Sequence, residues 1–126
     1  MTPFGKRLRE LRAARGATQK EMASELGLSA AYLSQLEHGR RGRPSPGFVR
    51  QACAYFGLFW DDAEALKRLA EISHPRIKVV TSGLSPRATE LANLIAASIE
   101  TLDEDTIAWI VAEIRGRIGT RRPRGP

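Results

Sequence analysis

The stretch from Thr18 to Gly39, TQKEMASELGLSAAYLSQLEHG, constrains this chain more than any other. It holds two helix starts and two helix stops in a span with room for only two short helices. Thr18 is a good N-cap, and Glu21 three residues later completes a capping box. Met22, Ala23 and Leu26 form an apolar stripe, and Gly27 ends it in the left-handed position that a C-terminal glycine favours. Ser29 caps a second helix bearing Leu33 and Leu36, which stops at Gly39. Only Leu28 separates the stop from the next cap, so the two helices must cross closely. That crossing needs a small residue at Ala23, an apolar plug at Leu28 and an anchor at Leu33.

The flanking segments punctuate in the same way. Phe4, Leu8 and Leu11 predict a helix over Phe4 to Arg15, closed by Gly16. Ser45-Pro46 is an N-cap with proline at the first helical position, and it opens a helix carrying Val49, Ala52, Cys53 and Phe56 and ending at Gly57. Asp61 is expected to cap a fifth, with Leu66, Leu69 and Ile72 inward. Ile77 to Gly83 is the one β-leaning stretch, an extended linker or a single short strand. Ser85-Pro86 opens another helix, in which Ala88, Leu91, Ala92, Ile95, Ile99 and Leu102 recur at helical steps. Asp103 to Asp105 interrupts and re-caps, and Ile107, Ile110, Val111, Ile114 and Ile118 continue. This predicts a helical hairpin with an acidic turn. The expected organisation is 1–73 a helical domain, 74–84 a linker, 85–119 the hairpin, and 120–126 a basic disordered tail.

Charge divides along the same lines. The net charge is +6, but residues 1–60 hold ten bases against four acids, residues 61–114 five against ten, and residues 115–126 five arginines and no acid. A basic module followed by an acidic one points to a polyanion contact at one end and a different task at the other. The plain alternative is an unevenly charged solubility surface. One cysteine, Cys53, excludes an internal disulfide and a cysteine-based zinc cluster. No apolar run approaches a membrane span, and Lys6, Arg7 and Arg9 stand where a signal peptide needs apolar residues, so a cytoplasmic location is expected. No phosphate loop, metalloprotease motif or nucleophile with a suggestively placed histidine is present, so the chain does not read as an enzyme, and no cofactor or metal is expected. His38 and His74 lack ligand-type neighbours, and Cys53 reads as an inert buried thiol.

Two short helices crossing at a glycine turn meet the packing requirements of a helix-turn-helix, whose second helix lies in the DNA major groove. Residues from about 4 to 72 resemble the Cro/C1-type (XRE family) helix-turn-helix domain of lambdoid phage repressors and many bacterial regulators. The resemblance rests on Leu8-x-x-Leu11-Arg12, Thr18-Gln19-x-x-Met22-Ala23, Gly27-Leu28-Ser29 and Leu33-x-x-Leu36-Glu37-x-Gly39-Arg40, with Pro44-Ser45 and Phe56-Gly57-Leu58 beyond. It implies an all-α fold: a five-helix lambda-repressor-like domain, followed here by the two-helix hairpin, for which no family is identified. It also implies roles. Ser29, Ala30, Ala31, Tyr32, Ser34 and Gln35 match base-contacting positions, and Gln35 has the chemistry to pair with adenine. Ala30 and Ala31 depart from the longer polar residues of many relatives; they offer contact with thymine methyls in place of bidentate readout. Thr18, Gln19, His38, Arg40, Arg41 and Arg43 match or adjoin phosphate-contacting positions, with Gln19 also buttressing the second helix. Glu37 pairs with Arg12 in the family, a structural ion pair.

Each assignment has a plainer counterpart: Tyr32 as a packing residue, the arginines as a solvated loop, Gln19 and Gln35 as solvated helix positions. For the hairpin, two amphipathic helices cannot bury both apolar faces on one another. A second copy would complete a four-helix bundle through Leu91, Ile95, Ile99, Trp109, Ile110 and Ile114, and a homodimer would read two half-sites of double-stranded DNA. The counterpart is a hairpin folded back on the fifth helix. The expected function is a dimeric repressor at an inverted-repeat operator. Its rivals are the DNA-binding antitoxin of a toxin–antitoxin pair, with a protein partner, and a protein–protein adaptor whose helix-turn-helix no longer reads DNA.

Overall fold

A computed structural model describes residues 1–40 and 43–119. Among them the chain is all-helical: α1 (Pro3–Arg15), α2 (Gln19–Leu26), α3 (Ala30–Glu37), α4 (Pro46–Phe56), α5 (Trp60–Glu71), α6 (Pro86–Ser98) and α7 (Glu104–Gly119). Two units divide at Lys78 and Val79, and each is described by itself. The Ile77–Gly83 stretch forms no strand: it has no regular structure as far as Thr81 and turns at Ser82 and Gly83, where the Leu84 amide donates to the Thr81 carbonyl at 2.9 Å. The basic tail from residue 120 and Arg41 lie outside the described residues.

In the first unit, side-chain oxygens cap four of the five helices. Thr2 accepts from the Gly5 amide at 3.0 Å, Thr18 from Glu21 at 3.0 Å, Ser29 from Tyr32 at 3.0 Å and Ser45 from Phe48 at 3.1 Å. These bonds satisfy amides that a helix start leaves without a partner. The first helix begins one residue earlier than its apolar pattern indicates, because Thr2 caps and Pro3 tolerates the first turn. At α5 the expected cap is wrong. Phe59 holds the N-cap position with no side-chain bond, and Asp61 sits inside the first turn. There Asp61 and Asp62 favour the positive end of the helix dipole without capping it. Trp60 reaches that start through a left-handed backbone, φ 52°.

Phe4, Leu8, Met22, Leu33, Leu36, Phe48, Val49, Ala52 and Leu66 form one core. Phe4 meets Phe48 edge-on, ring centroids 6.1 Å apart. The end of α5 closes on the start of α1: buried Ser73 accepts from the Phe4 amide at 2.8 Å and donates to the Leu69 carbonyl. Ile72 therefore does not point inward as its spacing suggests. The helix has already ended at Glu71, and Ile72 is 54% exposed while Ser73 takes the interior position.

The second unit buries far less. Ser85 caps α6 through the Ala88 amide, and Asp103 accepts from Thr106 at 2.7 Å ahead of α7. No residue of α6 is buried. Leu91, Leu94, Ile99, Trp109, Ile114 and Ile118 are exposed, and Ile95 and Ile110 are half-buried.

Candidate nucleic-acid interface

The geometry of α3 follows from the turn before it. Gly27 adopts φ 71°, and the Leu28 amide returns to the Ala23 carbonyl at 2.8 Å, which reverses the chain in one residue. Ala23 is buried, and α2 and α3 pack closely. At about 100° per residue, Leu33, Leu36 and Glu37 fall on the inner side of α3, whereas Ala30, Ala31, Ser34, Gln35 and His38 fall on one arc. Ala30, Ala31 and His38 are exposed, and Ser34 and Gln35 half-buried, in agreement with that arc. Tyr32 lies off it. Its ring is half-buried and edge-on to Phe48, centroids 6.4 Å apart. Ser29 is exposed at the tip, its oxygen engaged as the cap of α3. His38 ends the helix with Nδ1 2.8 Å from the Ser34 carbonyl oxygen.

Behind α3 stands a charged lock. The Glu37 carboxylate is fully buried and accepts Arg12 Nε at 2.9 Å, Arg12 Nη2 at 3.0 Å and Gln19 Nε2 at 2.9 Å. Arg12 spends Nη1 on the Ala17 carbonyl at 3.1 Å. Its hydrogen bond to Glu37 raises its pKa above the ordinary arginine value against a smaller opposing effect of burial. One carboxylate thus ties α1, the α1–α2 turn, α2 and the end of α3 together. The close approach is visible at Gly5, where a methyl group would collide with the Glu37 carbonyl. The Arg12–Glu37 pair inferred from the resemblance is present, and Gln19 makes the buttress expected of it. Its second amide N–H has no protein partner among the described residues.

Thr18 is exposed and caps α2 in a capping box with Glu21. Arg40 and Arg43 are exposed beyond α3, with no carboxylate in ion-pair range among the described residues. Arg41 belongs to the same expected clamp but lies outside the described residues. The sequence reading missed Arg50 of α4, an exposed cation that reaches a cleft shared with Arg43. A composite of two helices and a loop carries no local spacing by which to find it. Among the described residues no group of acidic, histidine or cysteine side chains has the arrangement of a metal site. No helix there is long and apolar enough to cross a membrane.

The family model described as "Helix-turn-helix domain" matches residues 3–67. The chain belongs to the helix-turn-helix family. Its match is consistent with the Cro/C1-type branch and ends inside α5, so α6 and α7 are not part of it. The chain is 44% identical over 65 residues to the "Uncharacterized HTH-type transcriptional regulator RghRB" of Bacillus subtilis (strain 168), covering 52% of this chain and 47% of the relative. It is 41% identical over 51 residues to the "HTH-type transcriptional repressor RghR" of the same organism, covering 40% of this chain and 38% of that protein. The chain thus spans less than half the length of either curated relative. No solved structure matches it.

Proposed function

We propose that this protein is a sequence-specific DNA-binding transcriptional regulator of the cytoplasm, a dimeric repressor that inserts α3 into the major groove of an inverted-repeat operator and acts by binding, without catalysis. The observation that carries this reading is the outward arc of α3, held from behind by the Arg12–Glu37–Gln19 lock. A helix presented to bases needs a fixed register, and a buried carboxylate bonded from two other elements supplies it. Ala30 and Ala31 keep the leading edge narrow enough for close approach, and Ser34 and Gln35 bring polar atoms to base edges. Gln19, Thr18 and His38 line the flanks as phosphate contacts, and Arg40, Arg41 and Arg43 supply the counter-charge. The names of the two curated relatives, a regulator and a repressor, support the same reading.

The homodimer is the second half of the proposal. Leu91, Ile99, Trp109 and Ile114 stand exposed in a two-helix unit that buries none of α6. Large apolar side chains left exposed at helical spacing mark an interaction face. A second copy would cover it, Ile95 and Ile110 included, and would bring two recognition helices into one molecule, as an operator of two half-sites requires.

Base and backbone roles separate in one experiment on duplex binding. Gln35→Ala is expected to relax base preference with little change in salt dependence. Arg43→Ala should weaken all duplexes alike and lower the salt slope by about one. An unchanged preferred site in Gln35→Ala would refute base reading by α3.

A further inference from the structure

A cleft of about 320 Å³ lies between the loop before α4, the first turns of α4 and the last turns of α5, and no residue of α3 lines it. Its floor is apolar, with Val49 and Ala70 nearly fully buried. Its rim carries three cations, Arg43, Arg50 and Lys67, against one acid, Glu71. Lys67 pairs with Glu64 at 3.4 Å between two half-exposed side chains, a weak attachment, and neither arginine has an ion-pair partner among the described residues. An excess of cations around a concave apolar floor focuses a positive field where water is partly excluded. The cleft is also near the lower limit of small-molecule sites, which suits a compact ligand.

We infer that this cleft binds a small organic carboxylate with an apolar body, the carboxylate on Arg50 and Arg43 and the body on Val49 and Ala70. The planar guanidinium fork matches a carboxylate, which favours that head group. Arg43 also belongs to the backbone clamp of the proposed DNA complex, so ligand and duplex compete for it. The site then acts as an inducer pocket. This coupling rests on the DNA-binding reading; the pocket itself does not.

The test is an NMR titration of the full chain without DNA, using benzoate as the probe, with benzamide and inorganic phosphate as controls. Benzoate is expected to shift the amides of residues 43–50 and 67–71 to saturation. Benzamide has the body without the charge and phosphate the charge without the body, so each should bind at least about tenfold more weakly. Arg50→Gln should weaken benzoate about tenfold through loss of a charge-assisted bond while leaving the α3 amides in place. Benzamide or phosphate binding as well as benzoate, or benzoate leaving those amides unmoved, overturns the pocket. Coupling is read separately, as benzoate weakening duplex binding by the parent but not by Arg50→Gln. Benzoate that binds without affecting the duplex overturns the coupling and supports the pocket. A chain that binds no duplex overturns the DNA reading, and the benzoate titration still decides the pocket.

Discussion

Glu37→Gln removes the charge at the centre of the lock while keeping its volume. In the parent, three donors at 2.9 to 3.0 Å converge on a carboxylate with no exposed surface, and the Arg12 side chain retains 19% of its own. A glutamine offers one acceptor oxygen and turns an NH2 group toward the remaining donors. Removing one partner of a buried ion pair costs about 3–5 kcal/mol, because the other charge is stranded. Arg12 keeps some contact with water, so the lower end applies: about 3 kcal/mol, roughly a hundredfold in the opening equilibrium. Native-state hydrogen exchange at the Leu33 and Leu36 amides reads that opening directly. Arg12→Met with Glu37→Met is the control. It strands no charge and is expected to cost less than Glu37→Gln. The raised Arg12 pKa fixes the sign with pH. Its contribution is fully present below the ordinary arginine value and is lost only as pH rises through the still higher folded value, so the lock should not loosen through any mildly alkaline range. Exchange accelerated less than about fivefold in Glu37→Gln would refute the claim that this carboxylate holds α3.

Gly5→Ala is a sharper steric test. Helix propensity alone favours alanine by roughly 0.5–1 kcal/mol, yet the added methyl would meet the Glu37 carbonyl and lie 3.0 Å from the Leu36 carbonyl oxygen. Thermal melts should therefore show marked destabilisation; a stabilised variant would refute the close packing of α1 on α3. The Asp103 carboxyl is held below its ordinary value by its hydrogen bonds from Thr106. Its contribution to the start of α7 is present above the unfolded pKa and lost as pH falls through the depressed folded one, so protection of the Thr106 amide should fall only in acid below about pH 4. Protection lost nearer neutrality would contradict that cap. Sedimentation should give twice the chain mass, and Trp109→Asp with Ile114→Asp should return a monomer that keeps the helix-turn-helix unit folded. An unchanged mass in that variant would contradict the second unit as the dimer face.

The helix-turn-helix was legible because its signals are local. Thr18, Glu21, Gly27 and Ser29 act on amides within a turn of themselves, so spacing alone defines both helices and their reversal. The lock was legible only through resemblance, since nothing near Arg12 indicates that its partner stands at Glu37. The start of α5 misled for a physical reason. Aspartate is a strong cap, but an extended Phe59 and a left-handed Trp60 start the helix ahead of it, and Asp61 stabilises the first turn from within. The bond from the Phe4 amide to Ser73 spans 69 positions and has no local signature. It also explains why Ile72, in correct helical step with Leu66 and Leu69, ends outside the core. The Arg43–Arg50–Lys67 cleft was hidden likewise, being a product of packing between α4 and α5. For α6 and α7 the apolar period was visible, but a period defines a face and not what covers it.

Selection of bound duplexes from a random pool, at physiological salt and with the full chain, tests base reading by α3 most directly. A dimer of the proposed kind should enrich a two-fold symmetric consensus with half-sites about one helical turn apart, and Gln35→Ala should relax that consensus at positions within each half-site. A pool that emerges without enrichment, or an identical consensus from the two proteins, would contradict it.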